Sequence, residues 1–239
     1  MGKGAFVKIE FIPSSPETQI SVPEPERSSA FIPDWYKKAE PANIKNPIFK
    51  NDGSLHNTSL KMCMPFLDSL TSGYIQKTWC DIYIKNNKKD ETVEFIYSHE
   101  PKIIGTRERK AIETYEFEYY PIEFFWHIEW INKLPRGYSA LITHPLNRND
   151  LPFTTLSAII DSDKYHHAPS GNLAFYIKNG FEGLIPAGTP MYQIIPIKRD
   201  PWKKEILPFT IENKKRFSEQ KKYFWGFYKN FLWQKKEYL

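Results

Sequence analysis

Between Tyr74 and Ile197 the sequence is a succession of short segments rich in apolar residues and separated by Pro, Gly and Asn, and in the first of them apolar and polar residues alternate. A period of two places one face of such a segment in a core and the other toward water, and short runs bounded by turn residues read as strands. Trp79–Ile84 and Thr92–Tyr97 flank Asn86–Asp90 and predict a hairpin, and Phe117–Ile122, Phe124–Trp130, Ser139–Thr143, Leu156–Ile160, Leu173–Ile177 and Met191–Ile197 predict six further strands. No amphipathic helical pattern intervenes between them, which favours a barrel or sandwich over the βαβ repeat of a parallel sheet. A mainly β barrel or sandwich is the expected architecture.

The flanks are different. Pro13, Pro16, Pro23, Pro25, Pro33, Pro41 and Pro47 each remove a backbone donor, so residues 1–57 read as one strand near Phe6–Ile12 followed by an extended arm. Trp35 and Tyr36 predict a short docked helix with Asp34 near its N-cap. Thr58–Thr71 reads as one internal helix: Met62, Phe66 and Leu70 repeat at helical spacing, Cys63 joins that apolar face as a small buried hydrophobe, and Gly73 stands past the end. Pro65 objects to that helix and moves its expected start toward Cys63. After Pro208 come Phe217, Tyr223, Phe224, Phe227, Phe231 and Leu232 at near-helical spacing with lysines between, predicting a basic aromatic C-terminal helix of about 25 residues. The expected organisation is therefore an arm over 1–57, a central β domain over 58–210 and a terminal helix over 211–239.

At 239 residues the chain fits one large β-rich domain with appendages, and 16% aromatic content with 11 glycines argues for a packed core over a disordered or fibrous chain. Cys63 and Cys80 are too few for a disulfide framework. No window approaches the ~18 consecutive apolar residues of a membrane span. The opening MGKGAFVKIEF lacks the apolar core of a secretory signal, so a soluble intracellular setting is expected. The net charge of +5 resides in residues 211–239, where Lys214, Lys215, Arg216, Lys221, Lys222, Lys229, Lys235 and Lys236 face only Glu212, Glu219 and Glu237. The remainder balances, which argues against a general electrostatic footprint for nucleic acid.

One segment speaks to chemistry. From Leu134 to Arg199 the order is a Gly-Tyr strand entry, a loop, an apolar strand ending Ile160-Asp161-Ser162-Asp163, Tyr165, another strand, and then Ile185-Pro186-Ala187-Gly188-Thr189-Pro190 leading into Met191-Tyr192-Gln193. This resembles the core of the trimeric dUTPase and dCTP deaminase superfamily, a β-clip type barrel. The resemblance implies Asp161 as the base that orients water for attack on phosphorus, Tyr165 stacked on the deoxyribose and steered by Asp163, and Gln193 on a phosphate oxygen. Thr143 and His144 fall where the family's phosphate-binding serine motif lies, and Arg148, Lys164 and Arg199 are the cationic candidates beside it. Mg²⁺ would bridge the phosphates, and the chain would assemble as a trimer.

Departures from that pattern weigh against hydrolysis. The tyrosine follows Asp161 by four positions instead of three, Thr143-His144-Pro145-Leu146 replaces the phosphate loop, and no Gly-rich closing arm ends the chain. Across nearly its whole length, in IPDWYKK, CMPFLDSLTSGY, GYSALITHPLNRNDLPF and IPAGTPMYQIIPIKR, the chain also resembles a family of uncharacterised proteins of tailed phages and some marine bacteria. That likeness implies the cytoplasm of an infected host cell, with virion association left open.

His56, His99, His127, His144, His166 and His167 invite a third reading, a His-ligated metalloenzyme, but adjacent His166 and His167 point to opposite faces of an extended chain. Gly-rich phosphate loops, a nucleophile elbow and a Cys-x-x-Cys pair are missing. The expectation is a non-catalytic ligand-binding or protein-interaction role on a dUTPase-like barrel, with partners engaged through the N-terminal arm or the C-terminal helix. An Mg-dependent nucleoside triphosphate pyrophosphatase is the rival.

Overall fold

The computed structural model describes residues 6–42, 45–49, 51, 58–87, 92–107, 119–120, 123–165, 171–215 and 228–239. These are mainly β, arranged as several antiparallel sheets with no closed barrel among the described residues.

The largest sheet has five strands in the order β11 (Ala158–Ile160), β9 (Tyr138–Thr143), β14 (Pro190–Lys198), β3 (Tyr74–Lys77) and β2 (Glu26–Arg27). β14 is central, and Met191, Tyr192, Gln193 and Ile194 are buried in succession because both faces of the strand are covered. A four-stranded sheet runs β10 (Phe153–Thr155), β12 (Gly171–Ile177), β7 (Glu123–Ile128) and β6 (Ile104–Arg107). A three-stranded sheet runs β13 (Gly183–Ile185), β4 (Ile82–Asn87) and β5 (Thr92–Ile96), and β1 (Glu10–Pro13) pairs with β8 (Trp130–Lys133). The three larger sheets share one apolar core. At its centre the Trp126 and Phe175 rings stack at 3.7 Å and Phe153 meets both edge-on, while Ile142 and Ile194 enter from the five-stranded sheet and Ile82 and Ile84 from the three-stranded one.

The expected hairpin is present as β4 and β5, and the expectations at β9, β12 and β14 hold with small shifts of end. Others change. Phe124–Trp130 is two strands, broken at Glu129, because this buried carboxylate turns to accept hydrogen bonds from the Thr18 hydroxyl at 2.6 Å and from Ser14. Leu156–Ile160 shortens to β11, with β10 preceding it. β6 is not anticipated from the sequence; in it Gly105 opposes Phe125, whose ring lies over the space a Cβ would fill. Phe117–Ile122 lies largely outside the described residues, although Tyr119 bridges to Lys178.

The N-terminal arm is integral to the body. β1 pairs along β8, and helix α1 (Pro16–Ser21), capped by Ser15, delivers Thr18 to Glu129. Helix α2 (Asp34–Lys38) begins at Asp34 as expected and buries Tyr36, which stacks on Phe66 at 5.7 Å. The internal helix is shorter than its sequence pattern: Leu60–Met62 is a 3-10 turn capped by Ser59, and helix α3 spans Met64–Thr71 with Pro65 in its first turn, where a missing N–H costs nothing. Cys63 is the junction between them and is therefore exposed, not part of the buried face. Cys80 is the buried cysteine, and burial pushes its thiol up to about 11.

Of the terminal segment, residues 211–215 and 228–239 are described, and Phe217, Tyr223, Phe224 and Phe227 of the expected helix are not among them. Residues 211–215 are helical and Tyr228–Leu232 form a single π turn, but 233–239 have no regular structure. They return to α3, where the Asp68 carboxylate accepts from the Trp233 indole at 3.0 Å and from Lys236 at 2.7 Å, and Tyr74 donates to the Leu239 carbonyl at 3.1 Å. Among the described residues no helix is long and apolar enough to cross a membrane.

Candidate functional site

The residues singled out by sequence lie along the ladder of β9 with β14. Register places Gln193 opposite Thr143 at one end and Ile197 opposite Ser139, beside Asp161, at the other. Four residues of strand separate those ends, roughly 13 Å. Within one chain they form two groups.

The Asp161 end is built by the turn after β11. The Asp161 carbonyl accepts from the Lys164 and Tyr165 amides at 2.9 and 2.8 Å, which folds the chain back and leaves the Tyr165 ring exposed. Asp163 faces inward with its side chain 2% exposed and takes the Gly137 amide at 2.9 Å. Arg199, the first residue after β14, ties the group together. Its guanidinium donates to Asp163, to Asp161 Oδ1 at 2.9 Å, and to the Tyr138 carbonyl and Ser139 hydroxyl, each at 2.9 Å. That guanidinium, aided by the Gly137 amide, holds the Asp163 carboxyl down to about 2, and Asp163 raises the arginine in turn. Asp161 receives the Ser139 hydroxyl at 2.8 Å on the same oxygen as Arg199, and its carboxylate remains 59% exposed. Asp163 and Arg199 therefore pin the 136–139 turn to the 161–165 turn, and Asp161 is the one carboxylate of the pair open to solvent.

The Gln193 end is closed. The Gln193 side chain is 1% exposed and its amide is spent on both atoms. Oε1 accepts from the Leu146 amide at 2.8 Å, while Nε2 donates to the Ser72 carbonyl at 2.6 Å and the Ser69 carbonyl at 3.1 Å. It joins β14 to the loop after β9 and to the C-terminal end of α3, whose last carbonyls have no intrahelical partner. Thr143 pairs with the Ser157 hydroxyl at 2.7 Å. His144 Nδ1 accepts from the Thr155 amide at 3.2 Å, so the proton sits on Nε2, which donates to the Arg148 carbonyl at 3.1 Å. Burial lowers this imidazole further and keeps it neutral. Arg148 grips Asp150 through two parallel bonds of 2.8 Å and holds that carboxyl down, with its remaining nitrogen on the Phe31 carbonyl at 3.2 Å. A shallow cleft of about 380 Å³ lies beside it, lined by Phe31–Trp35, Arg148 and Asp150.

Of the seven sequence-predicted residues, Asp161, Asp163 and Tyr165 come together, as do Gln193, Thr143, His144 and Arg148. What sequence reasoning missed is the partnering: Ser139 and Gly137 on the aspartates, and Leu146, Ser69 and Ser72 on the glutamine. Nothing in a local pattern signals contacts to residues so distant in the chain. Also missed is the segment just beyond Arg199, whose signal was a pair of prolines, Pro201 and Pro208, enclosing Trp202, Ile206 and Leu207.

Among the described residues no group of three or more His, Cys, Asp or Glu could hold a metal ion. His56, His166 and His167 lie outside those residues. Comparison with known proteins gives no matching family model and no matching curated sequence.

Proposed function

We propose that this chain is a non-catalytic β scaffold that acts by binding other molecules through its surface. The observation that carries this reading is the state of Gln193: an amide that accepts one internal hydrogen bond and donates two has no capacity left for a phosphate oxygen. Burial of Asp163 against Arg199 adds to it, since the cation nearest Asp161 is already neutralised. On the whole-chain resemblance the setting is a phage-infected cell, and on the dUTPase-like resemblance the scaffold is a repurposed β-clip.

The exposed Asp161 carboxylate beside the exposed Tyr165 ring favours the rival reading, an Mg-dependent nucleotide pyrophosphatase, and makes it worth a direct test. Thermal unfolding with Mg²⁺ and each common ribo- and deoxynucleoside triphosphate separates the two. A ligand at about 100 times its dissociation constant stabilises the fold by about 2.7 kcal/mol, roughly 5–10 °C for a chain of this size. The scaffold reading expects no shift and no pyrophosphate release. A selective shift with one deoxynucleotide, with turnover that disappears in Asp161→Asn, overturns it in favour of the pyrophosphatase.

A further inference from the structure

Immediately after Arg199 the chain leaves the body. Between Pro201 and Phe209 it has no regular secondary structure and makes no backbone hydrogen bond to a described residue. Yet it carries Trp202, Ile206, Leu207, Phe209 and Ile211, each 70–91% exposed. Side chains of this kind gain free energy by leaving water, and an apolar stretch of this size on a protein surface marks a contact site.

The body presents an exposed apolar row of its own. Register aligns Leu184 of β13 with Tyr83 of β4, and Tyr83 with Ile96 of β5, so the three lie in one row across the outer face of the three-stranded sheet. All three are exposed, whereas Ile82 and Ile84, which alternate with Tyr83, are fully buried beneath. Exposed Glu94 and Glu182 flank the row, and Lys203 and Lys204 lie between the arm's apolar residues.

The arm and the row stand at opposite ends of β14. The three-stranded sheet adjoins the Pro190 end, where the Ala187 and Gly188 amides bind Asp81 and Thr78, and the arm departs past Lys198. Nine residues of strand make that separation about 26 Å. Aromatic side chains carry about 150–250 Å² each. With three aliphatic residues added, the arm offers roughly 700–800 Å², near the ~800 Å² per partner of a stable protein interface.

We propose that residues 201–211 are an exchange arm whose apolar side chains cover the Leu184–Tyr83–Ile96 row of a second copy of this chain. An arm at one end and its acceptor at the other allow two copies to exchange arms reciprocally or several to close a ring. The inference rests on the scaffold reading and names its partner.

Light-scattering mass measurement over a concentration series tests it on the full chain, with an arm variant (Trp202→Glu and Phe209→Glu) and a row variant (Leu184→Glu and Ile96→Glu). Wild type is expected at twice the chain mass or more, and each variant at one chain mass. Mixing the two variants restores assembly, because one intact arm still meets one intact row, and misfolded variants could not do this. A monomeric wild type, or assembly that survives in both variants, overturns the proposal. Assembly lost with the arm variant but kept with the row variant overturns the acceptor face. The nucleotide panel is read separately, so a monomer that ignores nucleotides removes the exchange arm and leaves the scaffold reading standing.

Discussion

Replacing Gln193 with leucine asks whether this residue is a strut or a ligand contact. Leucine fills a similar volume but neither accepts nor donates. The Leu146 amide loses its acceptor at 2.8 Å and the Ser69 carbonyl its donor at 3.1 Å, while the Ser72 carbonyl keeps the Ser28 hydroxyl at 2.8 Å. Two buried polar groups left without partners cost about 1–3 kcal/mol each, partly offset by the apolar side chain, so a net loss of about 3 kcal/mol is expected. For a chain of this length that lowers the melting temperature by roughly 6–12 °C. Gln193→Glu should be worse at neutral pH, because its carboxylate would press on two carbonyl oxygens, and it should recover as acid protonates it. Thermal melts by circular dichroism with urea midpoints read both. If Gln193→Leu melts within about 2 °C of wild type, the shift is below that of 1 kcal/mol and the strut argument fails. Loss of nucleotide binding in that variant with stability intact would make Gln193 a ligand residue.

Two further perturbations probe the same architecture. Gly73 has φ +69°, and a Cβ there would sit 2.0 Å from the Ile194 carbonyl oxygen of β14, so Gly73→Ala should lose well over ~3 kcal/mol. Gly188, at φ +86° with open space around it, should lose only the backbone strain of about 1–2 kcal/mol on the same change, and equal urea midpoints for the two would refute the steric account. The Asp163 carboxyl is held below its ordinary 3.8, at about 2, so its stabilisation is fully present above pH 3.8 and is lost as pH falls through about 2. The melting gap between wild type and Asp163→Asn should accordingly be widest above that window and close toward its acid end; a gap that does not narrow would show that Arg199 does not stabilise the ionised form.

Much of the strand order was readable without coordinates because a half-buried strand alternates, as β4 and β5 do, and because a strand covered on both faces, such as β14, stands out as an apolar run between turn residues. The restart at α3 was readable too, since Pro65 is tolerated only in a first turn. The break at Glu129 was not: a carboxylate within an apolar strand looks like an outward-facing residue until Ser14 and Thr18, more than a hundred positions earlier, arrive to bind it. The likeness of the Asp161-to-Gln193 segment to a nucleotide-hydrolysing core is likewise a statement about order along the chain. Whether those side chains face a ligand depends on what else reaches them. Amino-acid order determined the β architecture and the residue types with chemistry to offer, because periodicity and backbone sterics act over a few neighbours. Only the tertiary structure decided that Gln193 and Asp163 are consumed internally while residues 201–211 stand apart from the body, because hydrogen-bond capacity and burial are set by partners that the fold brings together from distant positions.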